Sequence, residues 1–322
     1  MAALALIAAV VPWTTRAHPQ HYPSRPITMV VPFGAGGPTD VIARILAQHM
    51  GASLGQTILV ENVTGAAGTI GVGKAAHASP DGYTISIGHY GTHAVNSLIY
   101  SLDYDVVKDF EPVALLLSSP YLIVSKNAVP ASNLKELVAW LKANPNEALT
   151  SFNGPGSAGQ LLGLEFEKIT GTSLRFVPYR GGDAPATQDM LAGRLTMKFA
   201  QPADSLAFIR AGQIKAYAVT GQSRLAAAPQ IPTTDEAGMP DFNISVWHGL
   251  WVPKGTPASI VAKLNAAARS ALADSTVRAK LASLGQEIVP AAHQTPQALA
   301  AQQQAEIARW RPIVEQEHIK AK

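Results

Sequence analysis

Three stretches of this 322-residue chain place glycines where peptide N–H groups can be offered to an anion. The first is Phe33-Gly34-Ala35-Gly36-Gly37-Pro38-Thr39-Asp40, which follows the apolar run ITMVV and opens a helix-like pattern. Glycine lets backbone approach a ligand closely, and Pro38 suits the first helical position, where its missing N–H would be unpaired in any case. The exposed amides and the positive end of the helix dipole then form an anion site. Asp40 can reach back to a free loop N–H in the manner of a capping box, keeping those amides aimed. A nucleotide is not the expected anion. A Walker loop needs Gly-Lys-Ser/Thr after its last glycine, where Pro38-Thr39 stand, and the dinucleotide fingerprint needs a glycine at Thr39.

The same grammar recurs twice. In SFNGPGSAGQ (151–160) a strand runs into Asn153, Gly154 and Gly156, with Ser157 placed to cap the helix that Ala158 begins. In VPYRGGDAPA (177–186) the loop offers Tyr179, Gly181, Gly182 and Ala184, and the Arg180 guanidinium could pair with a second carboxylate. Any one such loop could be a tight turn without a ligand. Three of them at strand ends, divided between two halves of the chain, are what a cleft that clamps a small anion requires. Discrimination would then come from rings on the cleft walls, with Phe33, Tyr90, Phe152, Tyr179 and Trp247 as candidates and ordinary core packing as the alternative for each.

Enzyme readings do not assemble. A hydrolase elbow around Ser157 needs glycine two residues earlier, where Pro155 stands. His89 and His93 could share a helical face, yet no Cys accompanies them and no acidic partner is evident, so capping or hydrogen bonding is expected rather than metal binding. Asp103 and Asp105 flank Tyr104 and read as turn residues. No metal and no cofactor is expected.

The elements that must hold these loops alternate β-branched runs with amphipathic stretches, the pattern of an α/β protein with largely parallel sheets. Strands are expected at 27–33, 57–62, 83–88, 112–117, 121–125, 149–153, 174–179, 195–200 and 214–221. Helices are expected between them, and Gly171, Gly193 and Gly212 stand where left-handed C-terminal caps are wanted. After VWHGLWVP, alanine-rich helices at 257–273, 275–284 and 296–318 have no sheet of their own and should return to cover the first one. The expected plan is two-lobed, with residues 22–122 plus 245–322 in one lobe and 123–244 in the other, so the chain crosses the hinge twice.

Charged residues make up 15% of the chain, with 25 basic against 22 acidic, and no run of like charge points to a nucleic-acid groove. The opening MAALALIAAVVPW, with a small residue at Ala17, reads as a secretory signal cleaved near that point, and residues 1–21 as signal and leader. The absence of cysteine is compatible with an oxidising compartment. A monomer is expected.

The longer blocks YPSRPITMVVPFGAGGPTDVIAR, VENVTGAAGTIGVGKAAHASPDGYT (60–84), YDVVKDFEPVALL (104–116), VPYRGGDAPATQDMLAGRLTM (177–197) and IPTTDEAGMPDF (231–242) resemble, in order and spacing, the periplasmic solute-binding proteins of tripartite tricarboxylate transporters, the Bug (Bordetella uptake gene) family. The resemblance implies a two-lobed periplasmic-binding-protein fold, type II-like, with the ligand cleft between the lobes, that closes on a small organic carboxylate, a dicarboxylate or an aromatic carboxylate, and delivers it to membrane transporter subunits. It also implies that a carboxylate is held by backbone amides and bridging water from the loop matching Phe33 to Asp40. The opposite lobe would contribute the loops matching Asn153 to Ser157 and Tyr179 to Ala184. Where members often show a histidine after the second glycine loop, this chain has Gln160. A sensory subunit would use the same site, and an enzyme acting on an organic acid is the contrary class.

Overall fold

β-branched and leucine-rich segments pair into two separate sheets in the computed structural model, which describes residues 22–179, 183–240 and 242–320. The expected signal and leader, 1–21, lies outside the described residues. In chain order the elements are β1 (Ile27–Val31), α1 (Pro38–Leu54), β2 (Ile58–Asn62), α2 (Thr69–Ala76) and β3 (Thr84–His89). A π-helical turn, Gly91–Val95, then runs into α3 (Asn96–Ile99). There follow β4 (Phe110–Pro120), β5 (Leu122–Lys126), α4 (Leu134–Ala143), β6 (Leu149–Phe152), α5 (Ala158–Thr170), β7 (Arg175–Pro178) and α6 (Asp183–Leu191). The chain continues through β8 (Met197–Ala200), α7 (Pro202–Arg210), β9 (Ile214–Val219), β10 (Ser245–Pro253), α8 (Ala258–Ala273), α9 (Ser275–Ser283), β11 (Glu287–Ile288) and α10 (Pro296–Gln316).

The first sheet has the order β11-β4-β10-β3-β1-β2 and the second β7-β6-β8-β5-β9. Both are mixed, which corrects the expectation of largely parallel sheets. β1 is parallel to β2 and β3, and β6 to β7 and β8, as helical crossovers demand. β10 is antiparallel to β3 and β4, and β5 to β8 and β9. The cause is the hinge: β4 passes into β5 through Tyr121 alone, and β10 returns from the second sheet between β3 and β4, so neither step contains a crossover helix. The two-residue β11 is too short to show any alternation in sequence.

Burial follows the strand period. In β1, Ile27, Met29 and Val31 join the apolar cluster of α1 and α8, which includes Ile42, Leu46, Met50, Leu264 and Leu272, whereas Val30 joins Val72, Ala94, Val95, Leu299 and Trp310 on the other face. The C-terminal helices do cover the first sheet. Gly171, Gly193 and Gly212 all have left-handed backbones, as expected, with φ of 66°, 79° and 68°.

α10 carries polar groups into this core. Gln303 Nε2 donates to the carbonyls of His93 (2.6 Å) and Val106 (2.8 Å), and its Oε1 accepts from the Trp251 indole at 3.4 Å. Glu306 accepts from the indoles of both Trp247 and Trp310. Past Glu306 the helix also meets α5: Arg309 pairs with Glu165 at 3.0 Å, and Ile313 and Gln316 face Leu164 and Lys168 across a shared groove. Pro312 sits within this half.

Gln303→Leu should destabilise the fold by about 2–4 kcal/mol, because two buried carbonyls lose their donor. The check is the urea midpoint at unchanged m-value.

Candidate functional site

The first glycine loop is organised by one carboxylate. Gly36, at φ 80°, donates its N–H to Asp40 Oδ2 at 2.8 Å, as the capping-box reading expects. The same oxygen accepts from Arg44 Nε at 2.9 Å, and Oδ1 accepts from Asn62 Nδ2 at 2.8 Å. That amide also donates to the Phe33 carbonyl at 3.0 Å, tying the start of the loop to β2. Burial alone would raise Asp40; the bonds from Arg44, Gly36 and Asn62 outweigh it and hold the carboxyl below its ordinary value. Gly37 N–H turns back to the Gly34 carbonyl at 3.3 Å. Among the described residues, the N–H groups of Gly34, Ala35, Thr39 and Asp40 find no acceptor. A Cβ on Gly34 or Gly36 would meet nothing within 4 Å, so this backbone faces open space.

The second loop repeats the device with a different side chain. Gly156, φ 71°, donates to Gln160 Oε1 at 2.7 Å, again four residues on. Gln160 therefore holds this loop. Ser157 does not cap α5 as expected; its hydroxyl turns back and accepts from the Asn153 N–H at 3.1 Å. Among the described residues, the N–H groups of Gly154, Ala158 and Gly159 have no acceptor, and a Cβ on Gly154 would meet open space.

Rings pack behind the first loop within its own lobe. Phe33 stacks on His89 with centroids 4.8 Å apart, and His89 leans on Tyr90 at 5.6 Å and meets His248 edge-on at 5.7 Å. His248 Nε2 pairs with Thr39 Oγ1 at 3.2 Å on the first turn of α1. Burial lowers His89 to about 4 and His93 to about 3, and lowers His248 well below its ordinary value, so all three imidazoles are neutral near pH 7. Tyr90 lies beside the hinge residue Tyr121, and the Asp183 charge at the start of α6 bears on both phenols. An ideal Cβ on Gly156 would fall 2.0 Å from Ile99 Cδ1, so the second loop presses on the segment that Tyr90 begins.

Not every expected residue joins this arrangement. Trp247 is 3% exposed with its indole on Glu306, a core position rather than an open wall, and Phe152 packs edge-on against Phe176. The Tyr179 hydroxyl donates to Asp189 at 2.8 Å, and Ala184 is exposed in the first turn of α6. Arg180, Gly181 and Gly182 lie outside the described residues. His89 Nδ1 accepts from the Gly91 N–H at 3.0 Å and His93 stacks on Trp251 at 3.7 Å; no metal-binding group occurs among the described residues. Asp105 forms a turn through the N–H groups of Val107 and Lys108.

Two features escaped the sequence reading. His248 carried no signal beyond its place in a strand. Lys198 on β8 is 1% exposed and donates to Thr187 Oγ1 at 3.0 Å and, at 3.4 Å, to both the carbonyl and the Oδ1 of Asp183. Its only mark was a charge inside the apolar run LTMKFA. Nearby Asp204, in the first turn of α7, is pushed up to about 6 by burial and then by Asp183, against the pull of Lys198.

With the geometry in place, the relatives can be compared. Residues 42–319 match the Tripartite tricarboxylate transporter family receptor. The chain belongs to this family. It is similar to the periplasmic binding protein BugD, at 37% identity and a TM-score of 0.82, covering 94% of this chain and 100% of that one. MatC of Rhodopseudomonas palustris, solved with bound malate, is 38% identical with a TM-score of 0.81, covering 91% of this chain and 100% of that one. Rpa4515 of R. palustris, solved with adipate, is 33% identical with a TM-score of 0.84, covering 93% and 99%. The two sheets and their helices are the two-lobed periplasmic-binding-protein fold of these relatives.

The Asp204 carboxyl titrates above its ordinary range, so the fold keeps below that range a stability that it loses as pH rises through about 6. Asp204→Asn should therefore stabilise by roughly 1–3 kcal/mol at pH 7.5. The gain should shrink as the pH falls toward 4, followed by thermal melts across pH.

Proposed function

We propose that this protein captures a small organic carboxylate between its lobes, in the periplasm, and delivers it unchanged to a tripartite tricarboxylate-type transporter. Secretion by its N-terminal leader and action as a monomer belong to the same reading. The observation that carries it is the pair of glycine loops at strand ends of different lobes, each with free amides and each fixed by a side chain on a glycine N–H. Neutral amides take a carboxylate without burying an unpaired protein charge. Bridging waters, at about 0–2 kcal/mol each, let one scaffold accept acids of different length. The malate of MatC and the adipate of Rpa4515 are acids of this kind. The ligand site in this reading comprises Phe33 to Asp40 and the loops at Asn153 to Ala158 and Tyr179 to Ala184; Tyr90, expected on the cleft wall, is 2% exposed and packs behind them against His89.

The lobes would close about the two hinge crossings, 22–122 and 245–322 moving against 123–244. Thr220 ties those crossings together: Tyr121 N–H donates to its Oγ1 and its N–H donates to the Tyr121 carbonyl, both at 2.8 Å, while its hydroxyl donates to the Ile244 carbonyl.

Gly36→Val is the direct test. The new side chain has room, but φ of 80° is barely open to a β-branched residue. The loop should turn, its N–H should leave Asp40, and affinity should fall about tenfold or more, at a nearly unchanged melting temperature. Calorimetry against malate, adipate and monocarboxylates, with mass spectrometry of the recovered ligand, reads both points. Undiminished affinity overturns the site, and a chemically altered ligand overturns the non-enzymatic reading.

A further inference from the structure

We infer that Asp183, held in place by the buried Lys198, selects ligands that carry an ammonium group remote from their carboxylate and rejects those with a second carboxylate there. This inference rests on the carboxylate-binding reading above and names the chemistry of the ligand's other end.

A buried ammonium is tolerable only when its charge and its three donors are matched. Lys198 meets that condition within its own lobe, through Thr187 Oγ1 and the carbonyl and Oδ1 of Asp183. No N–H of Lys198 is left for a ligand anion. The lysine acts on Asp183, fixing one oxygen of its carboxylate and offsetting part of its charge. The other oxygen, Oδ2, accepts from nothing among the described residues, and the side chain is 30% exposed. Asp183 also stands at the right edge: β6 is parallel to β7 and β8, so α6, which Asp183 opens after β7, starts at the same end of the sheet as the second glycine loop.

A second observation points the same way. Gln201, the residue before α7, and Asp204 in its first turn each hold a sealed oxygen, Oε1 and Oδ2, with no donor among the described residues. Both follow the carboxyl end of β8, the edge at which α/β sheets bind ligands. Buried acceptors without donors are costly; these two are closed to direct contact, and they add to the excess of acceptors at this edge. Among the described residues, Asp183 and Asp204 together against Lys198 leave the cluster short of positive charge and short of donors. An ammonium supplies both. A second carboxylate supplies neither and faces like charge.

The test compares matched pairs by calorimetry on the unaltered protein: β-alanine against malonate, γ-aminobutyrate against succinate, 5-aminovalerate against glutarate. The expected result is a preference of about tenfold or more for the amino acid in the best-fitting pair, which Asp183→Asn collapses toward unity. The diacid binding as well as or better than its amine in every pair overturns the inference, as does a preference that survives Asp183→Asn in a variant whose circular dichroism and melting match the parent. If neither these compounds nor simple monocarboxylates bind at all, the carboxylate reading fails instead. The comparison on the unaltered chain stands even where the variant misfolds.

Discussion

Everything proposed for this molecule depends on a short hydrogen bond from a glycine N–H to a side chain four residues later. Peptide amides bind anions only if their direction is fixed, and a run of glycines is the least directed backbone a chain can make. Asp40 resolves that conflict in the first loop and Gln160 in the second. The partners differ for a physical reason visible in the surroundings. Asp40 has Arg44 and Asn62 to support its charge, whereas Gln160 stands alone and does the same work without one. A neutral anchor keeps a formal negative charge away from the amides at that end of the cleft.

Below the first loop, three imidazoles are kept uncharged by burial, and the ring chain from Phe33 through His89 to Tyr90 carries the loop's position toward the hinge. The second lobe is built differently. It holds a positive and a negative charge, Lys198 and Asp183, in contact at the start of α6. The asymmetry bears on the proposed recognition: both lobes offer neutral amide donors, and the second adds a charged acceptor. A ligand with opposite polarities at its two ends would be complementary to that arrangement.

Much of this was legible in the residues. The glycine loops, the cap from Asp40, the left-handed stops and the return of the C-terminal helices follow from local rules that the fold does not override. The strand directions were not legible, because β5 and β10 are set by hinge crossings that leave no local trace. The reversed Ser157 hydroxyl and the buried Trp247 were missed for a related reason. Ser157 had two local partners to choose from and took the Asn153 N–H four residues back, and Trp247 took a tertiary partner, Glu306. Lys198 is the extreme case, since a lysine in an apolar strand pattern reads as noise until Asp183 is seen folded against it.

The C-terminal helix lies along both lobes, packed on the first sheet through Gln303 and on α5 through Arg309. Such a strut works as a leaf spring. In the proposed closure the halves would load it as they swing apart, and the rung that Pro312 cannot supply would be the point where it yields most easily. The rest position of the jaws would then be set partly by a helix well away from anything they hold.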